Sequence, residues 1–166
     1  MIERIVKIKI FTDFDTSLVH ASELKEYFNT DDEVYNSLLK IGRKDLIRQL
    51  QRMYIFNYII GNPDLHDDNY GLLYDSKTFE LKSVSPCYDH NIAFQEGFGG
   101  LSRTTLGSSA LIPLDDFTEM FIKNHSDIVE KLKKIDLSIV QKYLSSVQLK
   151  ELKERIERVI SWYSED

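Results

Sequence analysis

The run Asn62-Pro63-Asp64-Leu65-His66-Asp67-Asp68-Asn69 places an aspartate five residues before an asparagine, and Asp89 follows that asparagine by twenty. These residue types suit work on a phosphate. A carboxylate can orient or deprotonate a hydroxyl, while an amide oxygen and a second carboxylate are the hard ligands that magnesium takes. Because magnesium keeps several of its waters, two protein oxygens are a sufficient contribution. Each residue alone has a plainer reading. Asn62-Pro63-Asp64 is good turn chemistry, and an Asp-rich loop is ordinarily a solvated turn. His66 reads as a hydrogen-bonded loop residue. With Asp64, Asp67 and Asp68 it also has the composition of a transition-metal or hydrolase site, so a metal-dependent phosphohydrolase is a third, minor alternative. Asp67 and Asp68 are expected to face solvent. His20, His90 and His125 lack ligand spacing and read as surface or local packing residues.

The elements that must hold these groups are readable on either side. Leu46, Ile47, Leu50, Met53, Tyr54 and Asn57 recur at helical spacing within 44–60, with Gly61 placed as a stop. The last turn of that helix is apolar almost all round, which predicts a central position with Tyr54–Tyr58 in the core. Tyr70–Asp75 and Phe79–Ser85 read as a hairpin joined by Ser76-Lys77-Thr78 and ended by Pro86. Before the central helix, Ile5–Phe11 alternates like a strand, and Ser22 is placed to cap a short helix through Phe28. Thr30–Glu33 has the form of a capping box for a helix ending near Gly42. Four helices are expected in the last third: 115–123, 126–133, 136–144 and 146–162. The fold class is mainly α with a small β-hairpin, one domain over 1–166.

Composition limits the partners. The 166 residues include 27 acidic and 21 basic side chains, a formal charge of −6, which argues against broad nucleic-acid or anionic-membrane binding. A single cysteine, Cys87, excludes an internal disulfide and reads as a small packing residue. The start is broken by Glu3, Arg4, Lys7 and Lys9, unlike a signal peptide, and no apolar run approaches a membrane span. The expectation is a soluble, cytoplasmic chain.

The Asp-to-Asn interval is that of a protein-kinase catalytic loop, and a hairpin-like excursion before a metal-binding Asp is likewise kinase-like. Residues 53–94, from Met53-Tyr54-Ile55-Phe56-Asn57-Tyr58-Ile59-Ile60-Gly61-Asn62-Pro63-Asp64 through Ser85-Pro86-Cys87-Tyr88-Asp89-His90-Asn91, resemble the C-terminal lobe of HipA-like serine/threonine kinases. The resemblance implies a kinase-like C-lobe in which Asp64 is the catalytic base, Asn62 and His66 organise the loop, and Asn69 and Asp89 hold Mg²⁺ against ATP. It implies a protein substrate, and for such kinases a place as a toxin in toxin–antitoxin systems or as an effector. Positions 89–112 correspond to a metal-binding and activation-segment-like loop, in which Ser102, Thr104 and Thr105 beside Arg103 are candidate phosphorylation sites. Departures concentrate at the front. No glycine-rich loop precedes Lys7 or Lys9, and residues 1–15 look like a segment linking two lobes. The expectation is a C-lobe without its N-lobe, inactive alone, with a separate N-lobe or an antitoxin chain as possible partner. The alternative is a non-catalytic interaction module that keeps the lobe's fold.

Overall fold

A computed structural model describes residues 12–24, 34–98 and 114–164. Its centre is the helix expected from the apolar stripe, α2 (Lys44–Ile59), preceded by α1 (Val34–Lys40). Leu46, Leu50, Met53, Tyr54, Asn57 and Tyr58 are all buried, on the i, i+3, i+4 rows that the spacing predicted. Each large apolar side chain so buried contributes about 1.5–3 kcal/mol relative to exposure, so the stripe suffices to fix which way α2 faces. Phe56 departs from the expected core: it is 46% exposed and faces a cleft described below.

Gly61 ends α2 as anticipated, with φ of +61°. The Gly61 N–H donates to the Tyr58 carbonyl and the Asn62 N–H to the Asn57 carbonyl, both at 3.0 Å, the paired closure of a Schellman motif. That closure aims the chain into the 62–70 loop. Beneath it lies Arg155, whose guanidinium carbon and two terminal nitrogens come within 2.9–3.2 Å of where a Gly61 Cβ would stand.

The expected hairpin is β2 (Gly71–Asp75) and β3 (Leu81–Val84), antiparallel. It is part of a larger sheet. β1 (Thr16–His20), which the periodicity does not announce, pairs antiparallel with β2, Leu18 opposite Leu73, giving the order β1-β2-β3. The strand expected at Ile5–Phe11 and the capping box at Thr30–Glu33 lie outside the described residues. Of the helix expected from Ser22 through Phe28 only the start is described, a 3₁₀ turn, Ala21–Glu23, followed by a helical Leu24; the remainder lies outside the described residues.

The remaining helices are α3 (Leu114–Ile122), α4 (Ser126–Leu132), α5 (Ser138–Gln141) and α6 (Ser146–Ser164). α3 and α6 pack on α2, and α6 also covers α4. Phe117 and Phe121 of α3 stack on each other and tilt against Tyr54. The helix expected over 136–144 is reduced to the four residues of α5. Ser145 must leave helical geometry to open α6: its Oγ accepts the Gln148 N–H, and the Gln148 side chain accepts the Ser145 N–H. No helix among the described residues is long and apolar enough to cross a membrane.

Candidate active site

The 62–70 loop is built outward from Asn57, a fully buried amide on the apolar face of α2. Its Nδ2 donates to the Met53 carbonyl (2.9 Å), and its Oδ1 accepts the Asn62 side-chain Nδ2–H (2.7 Å). Asn62 then turns the chain, its Oδ1 accepting the Asp64 backbone N–H at 3.1 Å. Leu65, only 2% exposed, plugs into the core and pins the middle of the loop. At the far end the Asn69 Nδ2 donates to the Asp64 carbonyl at 2.7 Å, closing the five-residue interval into a ring. A carbonyl only accepts, so this bond turns the Asn69 amide nitrogen inward and leaves its Oδ1 without a donor among the described residues.

The sheet clamps the loop from outside. The Tyr70 carbonyl accepts the Ala21 N–H and the Asp67 carbonyl accepts the Ser22 N–H, so the end of β1 grips both. Asp67 is not free in solvent as expected: its carboxylate accepts the Tyr70 hydroxyl at 3.2 Å. Burial raises the Tyr70 phenol well above its usual range, keeping it a donor. Asp68 does face solvent. His66 stands between carboxylates, its Nε2 4.0 Å from Asp64 and its Nδ1 3.7 Å from Asp68. These groups do not converge on a metal. Among the described residues no three His, Cys, Asp or Glu side chains form a cation site.

Asp89 is held in the chain by a different route. Gly71, directly after the loop, exchanges bonds with Ser85: its N–H donates to the Ser85 Oγ (3.1 Å) and its carbonyl accepts the Ser85 N–H (2.9 Å). Only Gly fits here, since a Cβ would meet the Val19 carbonyl oxygen at 2.1 Å. From Ser85 the chain runs through Pro86 and Cys87 to Asp89, which is exposed, left-handed (φ +56°) and without a hydrogen bond or ion pair among the described residues. Its neighbours are held. Tyr88 bonds the His20 Nδ1 at 3.0 Å, and His90 meets the Phe56 ring edge-on at 5.7 Å. Burial lowers the His90 pKa while the Asp89 carboxylate raises it. Burial pushes the Cys87 thiol up to about 11, consistent with a packing role. The segment is retied when the Phe94 N–H donates to the Ile60 carbonyl at 2.7 Å.

Beside the Ser85–Cys87 run lies a cleft of about 810 Å³, walled by Gln49, Met53 and Phe56 of α2 and by Leu73, Ser83 and Val84 of the sheet. Asp64, Asn69 and Asp89 do not line it; they stand outside it. Ser102, Thr104 and Thr105 lie outside the described residues. His125 and Asn57 show what residue typing passes over. His125 is fully buried with its Nε2 on Gln51, and Asn57, counted in the stripe, is the polar anchor of the whole loop. A buried amide in an apolar row always demands a partner, and that is the signal by which Asn57 can be found.

The fold carrying this arrangement is kinase-like. The crystal structure of the Helicobacter pylori proinflammatory kinase CtkA matches with a TM-score of 0.59, over 93% of this chain and 73% of that one, at 16% identity. No known family profile matches the chain, and no curated protein does.

Proposed function

We propose that the chain is the catalytic lobe of a HipA-like serine/threonine protein kinase, acting on a protein hydroxyl and needing an N-lobe for turnover. The observation that carries the reading is the closed Asp64–Asn69 ring. It commits the Asn69 Nδ2 and leaves its Oδ1, a hard ligand, without a donor among the described residues, in a loop that also presents the partly buried Asp64 carboxylate. The residues fit magnesium: one amide oxygen and one unengaged carboxylate, Asp89, are the oxygen donors that ion accepts. Bound Mg²⁺–ATP would supply a transferable phosphoryl group with its charge neutralised. Asn69 and Asp89 would hold it. Asp64 would orient the Ser or Thr hydroxyl and take its proton, with Asn62 fixing its backbone and His66 4.0 Å from its carboxylate. The cleft against Met53, Phe56 and Leu73 is apolar enough to receive an adenine ring. Most of the catalytic work in such a site is positioning and charge stabilisation.

Calorimetry with ATP tests this. Saturable binding that requires magnesium and disappears in Asp89→Ala is expected. Binding that ignores magnesium, or that survives Asp89→Ala unchanged, overturns the assignment. A second reading, a non-catalytic module docking another chain, is favoured by one feature, the exposed Phe56 at the cleft. Absence of ATP binding together with capture of a separate N-lobe or antitoxin chain at Phe56 would establish it.

A further inference from the structure

A second cavity, of about 520 Å³, lies between α2, α4 and α6, with Val140 of α5 also lining it. Its volume falls in the range of about 300–1,000 Å³ usual for small-molecule sites. The walls are chiefly aliphatic, with Ile59, Ile60, Leu132, Leu152 and Ile156 among them. Branched aliphatic walls suit a flexible hydrocarbon chain better than a flat ring. The two lining side chains that are not apolar are both cations, Arg52 and Lys131, and no acid lines the cavity. Arg52 shares Asp127 with Arg48, at 2.8 and 3.4 Å, so two cations face that one carboxylate. Lys131 has no ion-pair partner among the described residues. An apolar cavity whose only charged lining is positive selects an apolar body with one anionic end.

We propose that this cavity binds a free fatty acid, with the hydrocarbon chain among Ile59, Leu132, Leu152 and Ile156 and the carboxylate at Lys131 and Arg52. Arg52 and Phe56 also line the 810 Å³ cleft, so the two cavities share a wall. Binding here requires neither nucleotide nor the 62–70 loop, so this site stands or falls separately from phosphoryl transfer.

The test is calorimetry of the full chain with dodecanoate below its micelle concentration, beside dodecan-1-ol, dodecyltrimethylammonium and phosphatidylcholine vesicles. One saturable site for dodecanoate is expected, at least tenfold tighter than for the alcohol and absent for the cation. Lys131→Glu, an exposed change that keeps the fold, should weaken dodecanoate at least tenfold, and Val140→Trp, filling the cavity, should abolish it. No saturable binding, equal binding of the cationic amphiphile, or indifference to Lys131→Glu overturns the proposal. So does binding to vesicles alone, or a concentration-dependent dimer that Val140→Trp disrupts, which would make a second copy the occupant.

Discussion

Asp64 and Asp89 are held by opposite means. The first sits in a loop where Asn57, Asn62 and Asn69 are all buried, where each side-chain amide has a named partner, and where Leu65 is sunk in the core. The second stands exposed on left-handed backbone, and only its neighbours, Tyr88 and His90, are engaged. A group that orients a hydroxyl must be in place before substrate arrives. A carboxylate that closes on a metal–nucleotide complex can be ordered by the ligand itself. The contrast is between a preformed half, fixed by buried amides, and one whose carboxylate the fold leaves exposed and unbonded.

The contrast can be attacked first where the two halves join. Gly71→Ala drives a Cβ into the Val19 carbonyl and separates β1 from β2, at a cost of about 3 kcal/mol or more in urea unfolding. A loss below about 1 kcal/mol would show that the sheet does not clamp the loop. Next comes Asn62→Ala, which strips the Asn57 Oδ1 and the Asp64 N–H of their partners at once. About 2 kcal/mol of stability should go with it, read in the same experiment.

Asp89→Gly tests the other half and should act in the reverse direction. Removing a side chain from φ +56° should leave stability unchanged or raise it by about 0.5 kcal/mol, while magnesium-dependent ATP binding is lost. A destabilised Asp89→Gly would mean that the carboxylate supports the fold. The smallest effect concerns His90. Burial lowers its pKa and the neighbouring Asp89 carboxylate raises it, so Asp89→Asn should move the His90 titration further below the ordinary value of about 6.5, seen by imidazole NMR. An unmoved titration would place the carboxylate away from the ring.

The preformed half was the more legible in the residues, and for a physical reason. α2 carries its burial in a 3.6-residue rhythm and its end in Gly61, both local signals, and β2 and β3 are bounded by turn residues. β1 escaped because all five of its residues are only half-buried, which erases alternation. Its existence depends on pairing with β2, a contact across more than fifty residues. The helix expected over 136–144 misled for the opposite reason. Leu137, Val140 and Leu144 keep helical spacing, yet Ile139 and Tyr143 are exposed and the capping demand of Ser145 breaks the run. At the site the residue types were visible, but which atom of Asn69 is committed to the loop was not. That follows from one tertiary bond to the Asp64 carbonyl.

The bonds at Ser85 and Ile60 have a consequence for ligand affinity. The chain carrying Asp89 is fastened to Gly71 at one end and, through Phe94, to the end of α2 at the other. It is a short tethered arc, and its end-to-end freedom was surrendered when the domain folded. Loop-closure entropy grows only with the logarithm of the free length, so ordering so short an arc adds little to the cost of binding. If Asn69 and Asp89 hold one ion as proposed, the short arc would offer the Asp89 carboxylate at high effective concentration, as the second arm of a chelate begun at Asn69.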